Sequence, residues 1–440
     1  MILLNGVVNW AVPCIMGTHS ITHPLNSMRK KITLTCLILV LLLTACQPAT
    51  AVTPPTPIPP PTVSPTPTTT PEAQQRRIPR DFVGAQGTEF VLNGQPFRFG
   101  GANNHEMPWL TDGEMEQVLA DASQLNFHVM RTFASVIIGQ PDGAQTIWEY
   151  PAGETRGVWF QAWDPASQTM LINDSPNGLV RLDALLAAAS RHNVRLIIAL
   201  VDNWYYYGGT PQYCAWRNIP YKRWCPAFYT DPAIKADFKT WVSTLLHRTN
   251  TITGIAYRDD PTIFAWQLAN EPAAETEILL EWADEMTTLI RAHDPNHLIS
   301  FGDTGFGRSP ADFARLMAAP NIDFGTLHLY PAYQQPATSP EECDQIMRQY
   351  LAIAQTANKP VVLEEFGLSA AAGDQTEAYR SWTETMRITA HSGWLVWRLL
   401  GRRPDGQFPP QDNEGFNLYN DDSAITRLLS DAAHLIHITP

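Results

Sequence analysis

What most constrains this chain is a pattern: from about residue 77 onward, eight short apolar runs of strand length alternate with stretches of helical periodicity. The first run, Phe97 to Asn103, follows a predicted hairpin, Phe90 to Phe97, that turns at Asn93-Gly94. A helix comes next, with Met115, Val118, Leu119, Ala122 and Leu125 on one face and Thr111 with Glu114 as a capping box. Phe127 to Phe133 is the second strand. A loop carrying Trp148, Trp159 and Trp163 leads to a helix marked by Leu182, Leu185, Leu186 and Ala189. Val194 to Val201 is almost wholly apolar, as a strand covered on both faces must be. The later strands fall at Thr262–Ala269, His297–Phe301, Phe324–Leu329, Val361–Glu364 and Gly393–Leu399, and helices near 232–248, 275–292, 340–356 and 374–391 separate them. Eight strands alternating with helices predict an α/β protein, a (β/α)8 barrel of parallel strands. A doubly wound open sheet would alternate in the same way, but no Gly-x-Gly-x-x-Gly follows the first strand and there is no P-loop.

The remaining sequence reads as an address and a tether. Residues 1–27 precede a better start at Met28 and are expected to be a mis-assigned start. Residues 28–45 form a signal peptide: Arg29-Lys30-Lys31, then an uncharged run from Ile32 to Ala45 that is too short to span a bilayer. Leu43-Thr44-Ala45-Cys46 resembles the lipobox of bacterial lipoproteins, which makes Cys46 a candidate lipid anchor; the alternative is an ordinary secretory signal cut nearby. Ten of the 36 prolines fall between Pro48 and Pro71, among eight threonines, so 46–76 is expected to be the anchor and an extended linker. At about 3.1 Å per residue, about 25 such residues reach roughly 75 Å. Residues 77–440 are then one decorated catalytic domain. The expected location is extracellular, on a bacterial cell surface, with the lipid anchor as the membrane contact and the protein a monomer.

The net charge is −13. Three basic residues and one acidic residue fall in 1–75, which leaves 27 against 42, a net −15, on the rest. An acidic body argues against nucleic acid as a partner. In an oxidising compartment Cys214 and Cys225, close within one loop, are a candidate disulfide; two free thiols are the alternative. No Cys-x-x-Cys pair occurs, and no metal and no cofactor is expected.

In barrels of this kind the chemistry sits where strands end. The fourth strand runs into Asn270-Glu271-Pro272 and the seventh into Glu364-Glu365-Phe366-Gly367. Between them the sixth gives His328-Leu329-Tyr330-Pro331, and the second carries Arg131. Two carboxylates on facing strands suit glycoside hydrolysis, which needs a proton donor and a nucleophile or base. Their pKa values must be set apart by their surroundings. Arg131 and Tyr330 are expected to keep one carboxylate ionised, and poor solvation to keep the other protonated.

With these motifs the sequence resembles glycoside hydrolase family 5, in clan A, and within it the endo-β-1,4-mannanase branch. The stretches that carry the resemblance lie between about 82 and 420. They include Asn103-Asn104, Arg131, the run Asp202 to Gly209, Phe228 to Pro232, Thr251 to Pro272, His328 to Pro331, Glu364 to Gly367 and Trp397. The resemblance implies a retaining enzyme with Glu271 as acid/base and Glu365 as nucleophile. It implies that Asn270 meets the sugar 2-hydroxyl, that Arg131 and Tyr330 hold Glu365, that His328 stands beside Glu271, and that Trp397 floors the cleavage subsite. Glu364 competes with Glu365; strand alternation lets only one face the cleft, and the family pattern picks the one before Phe-Gly. Gln267 stands where the branch usually has Glu, His105 to Trp109 replaces a more aromatic stretch, and Arg398 follows Trp397 where Gln is common.

Sugar rings present flat faces of C–H bonds that aromatic rings match. Trp204 and Trp397 are the aromatic residues expected at sugar, whereas Trp266 and Trp282 are expected in the core. The expected activity is endo-acting cleavage of β-1,4-linked mannan, glucomannan or galactomannan, a plant polysaccharide. The alternatives are an endo-β-1,4-glucanase or mixed β-glycanase, and a non-catalytic glycan-binding surface lipoprotein.

Overall fold

A computed structural model describes residues 79–148, 153–333, 339–389 and 393–438. The start, signal peptide, Cys46 and linker lie outside these residues. The described chain opens with a small antiparallel sheet of β1 (Val83–Gln86), β2 (Glu89–Leu92) and β3 (Gln95–Pro96). The turn between β2 and β3 is the expected Asn93-Gly94, both with positive φ (53° and 78°), the geometry that matches strand twist in tight hairpins. Then follow β4 (Phe99–Asn103), α1 (Asp112–Gln124), β5 (Phe127–Phe133), a hairpin of β6 (Gln161–Asp164) and β7 (Thr169–Ile172), and α2 (Leu179–Arg191). Next come β8 (Arg195–Ala199), α3 (Gly209–Trp216), α4 (Pro232–His247), β9 (Ile263–Gln267), α5 (Thr276–His293), β10 (Leu298–Ser300), α6 (Pro310–Met317) and β11 (Gly325–Leu329). The chain ends with α7 (Pro340–Ala357), β12 (Val361–Phe366), α8 (Gln375–Ile388), β13 (Gly393–Val396) and α9 (Ala424–Ile438).

Eight parallel strands form one sheet in the order β10-β9-β8-β5-β4-β13-β12-β11, and a parallel bridge between Ser300 and Phe324 joins its two ends. This is the expected (β/α)8 barrel. Local chemistry sets the helix starts. Thr111 and Glu114 make the capping box of α1, Asp231 caps α4 ahead of Pro232, and Ser339 with Glu342 caps α7. The antiparallel sheet seals the barrel floor. Phe90 is fully buried there, its ring 5.0–6.0 Å from those of Phe99, Phe264 and Phe324. Trp266 and Trp282 are buried in the core, as expected.

One irregularity matters for the site. Leu327 of β11 pairs with Leu363 of β12, but the next residue, His328, pairs with Glu365, so Glu364 is an extra residue in a bulge. No helix among the described residues is long and apolar enough to cross a membrane.

Candidate active site

Arg131 is the hub. It leaves β5 toward the barrel axis and is wholly buried. Its Nε donates to Gln267 Oε1 (2.8 Å), Nη1 to Asn103 Oδ1 (3.0 Å) and Glu365 Oε1 (2.6 Å), and Nη2 to Asn270 Oδ1 (2.7 Å). Burial opposes its charge, but Glu364 and Glu365 outweigh burial and raise its pKa further.

Glu365 accepts from Arg131 and from the Tyr330 hydroxyl (2.8 Å). Glu271 accepts from the Trp204 indole N–H (2.7 Å) and faces His328 Nδ1 (2.8 Å). Glu271 holds a left-handed backbone (φ 49°), unusual for a residue with a side chain and a mark of a constrained functional position. Its N–H is tied to the Gly302 carbonyl (2.8 Å). A Cβ at Gly302 would lie 1.8 Å from the Ala269 carbonyl oxygen, so only glycine admits this close crossing. Glu271, His328 and Glu365 each bring one polar atom to within 4.8 Å of the others.

The expectation that only one of Glu364 and Glu365 would point inward is corrected. The bulge breaks the alternation, and both carboxylates turn toward Arg131 and His328. Glu365 lies at the rim; Glu364 lies beneath it, fully buried, accepting from Gln267 Nε2 at 2.7 and 2.8 Å. Gln267, noted in the sequence as a departure, is therefore part of the site.

The charge state also differs from expectation. Burial opposes the charge on Glu271, but the hydrogen bond and charge of His328, with Trp204 and Arg131, outweigh it and hold its pKa below the usual range. Burial also opposes the His328 cation, yet the Glu365 charge and the hydrogen bonds to Glu271 and Glu364 push it up to about 10. Burial raises the Glu365 pKa, against His328 and Arg131, and the Glu271 charge adds to the rise. These shifts favour the proton on His328, whose Nδ1 lies 2.8 Å from Glu271, over Glu271 itself. Glu271 and His328 together hold one transferable proton.

The supporting residues divide. Asn270 donates to Asp202 Oδ1 (2.9 Å), a buried carboxyl that desolvation pushes up to about 7. Nothing in the sequence singled out Asp202 beyond its place in a longer motif. Asn103 gives its amide to the Glu364 carbonyl (2.8 Å). Asn104, one of the residues that carry the family resemblance, donates to the Leu399 carbonyl (2.9 Å) and accepts from the Glu106 N–H. Trp397, half-buried at the end of β13, stacks on His105 with centroids 5.5 Å apart. Arg398 reaches Glu106 (2.9 Å) and Asn417 (3.1 Å). Cys214 and Cys225 are joined as a disulfide, Cα atoms 6.1 Å apart, fastening the aromatic loop that carries Trp204 and Trp224.

By spacing alone, Glu271, His328 and Glu365 would also suit a cation. Their atoms are already engaged by Trp204, Tyr330, Arg131 and each other, and the Arg131 guanidinium stands where a metal's charge would.

Comparison with known proteins agrees with this geometry. A family description, GH family 5 beta-mannosidase-like, matches residues 173–391. Mannan endo-1,4-beta-mannosidase A of Podospora anserina is 30% identical over 80% of this chain and 91% of that protein. Among solved structures, the endo-1,4-beta-mannanase of Rhizomucor miehei superposes with a TM-score of 0.70 and 31% identity, covering 81% of this chain and 99% of that one. The endo-beta-1,4-mannanase of Thermotoga petrophila gives 0.66 and 32%, over 79% and 78%. A closed eight-stranded barrel, two glutamates at the ends of β9 and β12, and likeness over most of the chain lead to one conclusion: this protein is a glycoside hydrolase and belongs to family 5.

Proposed function

We propose that the protein is a retaining endo-β-1,4-mannanase acting on mannan, glucomannan or galactomannan. The carrying observation is the approach of polar atoms of Glu271 and Glu365 to within 4.8 Å. Retaining enzymes hold their carboxyl groups about 5–5.5 Å apart, whereas inverting ones leave roughly 6.5–9.5 Å for a water. The choice of mannan rests on the names of the relatives.

In this reading Glu365 attacks the anomeric carbon from below, positioned by Arg131 and Tyr330. As the glycosidic C–O bond breaks, Glu271 gives its proton to the leaving oxygen. Water then enters, Glu271 removes a proton from it, and the glycosyl–Glu365 bond is released. Asn270, its carbonyl held by Arg131 and one amide hydrogen by Asp202, keeps a second amide hydrogen for the sugar 2-hydroxyl. Residues 77–440 serve as one catalytic domain, and the segment before it as tether.

Glu271→Gln and Glu365→Gln are each expected to cut turnover on mannan by a factor of at least ~10² while the circular dichroism and melting curve stay native. NMR of the first product should show the β anomer. Full activity in either variant, or an α anomer, would overturn the assignment, and turnover on soluble cellulose but not mannan would move the substrate to a glucan.

A further inference from the structure

Glu364 does no chemistry in the reading above, yet it is a wholly buried carboxylate, and a buried charge needs close compensation. Its surroundings supply it. Gln267 Nε2 donates to both its oxygens (2.7 and 2.8 Å), Arg131 Nε lies 3.4 Å away and His328 Nε2 3.1 Å. The Gln267 amide has one allowed orientation here: Arg131 can only donate, so it takes Oε1, and the NH2 must face Glu364. A carboxylate so served needs no proton of its own. The ring of His328 is therefore gripped at both nitrogens, Nε2 by Glu364 and Nδ1 by Glu271.

We propose that Glu364 is a positioning residue for the acid/base: it fixes a proton on His328 Nε2, so that Nδ1 alone exchanges a proton with Glu271. This deepens the reading of Glu271 as acid/base and rests on it. With Nε2–H fixed, the pair's one mobile proton has two seats, Glu271 Oε1 and His328 Nδ1. When the leaving oxygen takes the proton from Glu271, a neutral Nε2–H imidazole remains. If Glu364 carried no charge, the neutral ring could instead keep its hydrogen on Nδ1. That hydrogen would then serve only as a donor to an ionised Glu271, with nothing left to transfer.

The groups that face this pair come from several elements. Glu271 follows β9, Glu364 and Glu365 lie on β12 (Nδ1 is also 3.5 Å from Glu365 Oε2), and Arg131 comes from β5. Tyr330 comes just past the end of β11, the strand of His328, and Asp202 reaches the site through Asn270. Removing one negative charge from this set weakens the pair's hold on its proton.

Two measurements decide it. In the wild-type protein, 15N NMR of the His328 ring should show Nε2 still protonated once Nδ1 has lost its proton, at a pH above the ring's pKa of about 10. A bare Nε2 in the neutral ring would overturn the proposal. In Glu364→Gln, kcat on mannan, whose alkoxide leaving group needs a proton, should fall about 10²-fold. Cleavage of a dinitrophenyl β-mannoside, which leaves without one, should change little. The alkaline limb of the mannan profile should move to lower pH by about one unit. Glu364→Asp, which keeps the charge but draws it back from Nε2, should move that limb the same way by less and serves if Glu364→Gln does not fold. Wild-type leaving-group dependence and an unmoved limb in these variants, with Glu271→Gln inactive, would refute the role of Glu364 and leave the acid/base assignment standing.

Discussion

At the scale of single residues, the site is an exercise in keeping charges apart in little water. In the proposed mechanism Glu365 must be ionised to attack, and burial works against that; His328, Arg131 and the Tyr330 hydroxyl work for it. Tyr330→Phe removes one of these supports. The Glu365 pKa then rises, and the acid limb of kcat/KM, which reports the free enzyme, should move to higher pH by less than about one unit. A limb that stays put, measured on mannan across the acid range, would show that the hydroxyl does not support the charge. Glu271, Glu365, Arg131, His328 and Tyr330 were legible in sequence because each sits at or just past an apolar run, where barrel strands end. The role of Glu364 was not legible. It depends on a register shift between two strands distant in sequence, and period-two alternation carries no sign of such a shift.

At the scale of elements, what the sequence foretold well is what neighbouring residues decide. Phe127–Phe133 is the strand read from its run of apolar residues, and the capping box of α1 is present as expected. Other strands and helices fall within a few residues of their predicted ends, as fraying ends do. The β6–β7 hairpin and α3 lie in loops where aromatic residues mask any clean period, and both were missed. Helices α6 and α9 were missed as well, and α9 packs back on β4, a contact no local signal announces. The hairpin on the barrel floor is an element with one separable task. Phe90→Ala should cost about 3–5 kcal/mol in urea unfolding, because a large ring leaves a packed cluster. The floor is at the opposite end from the glutamates, so initial rates at a temperature well below melting should not change. A fall in kcat would mean that the floor and the site are coupled.

At the scale of the whole molecule, the proposed tether and the barrel make separate demands on the chain. The tether residues lie outside the described structure, and their role is tested in cells: Cys46→Ser should move the protein from the membrane fraction to the medium with its specific activity intact. Retention of the variant in membranes would sink the lipid-anchor reading. Within the barrel, Arg131 has a consequence that goes beyond the reaction. Its three nitrogens touch residues of β4, β9 and β12 and the loop after β9, elements spread around the barrel wall. The guanidinium is planar and its reach is fixed, so it acts as a calliper across the mouth. A wall that dilated by an ångström would pull a strand off one jaw before any backbone ladder opened, and Glu365 would be the first group released. The circumference of the barrel and the alignment of its glutamates are in this sense a single coordinate. A substitution anywhere on the wall that alters the first is expected to register in the second.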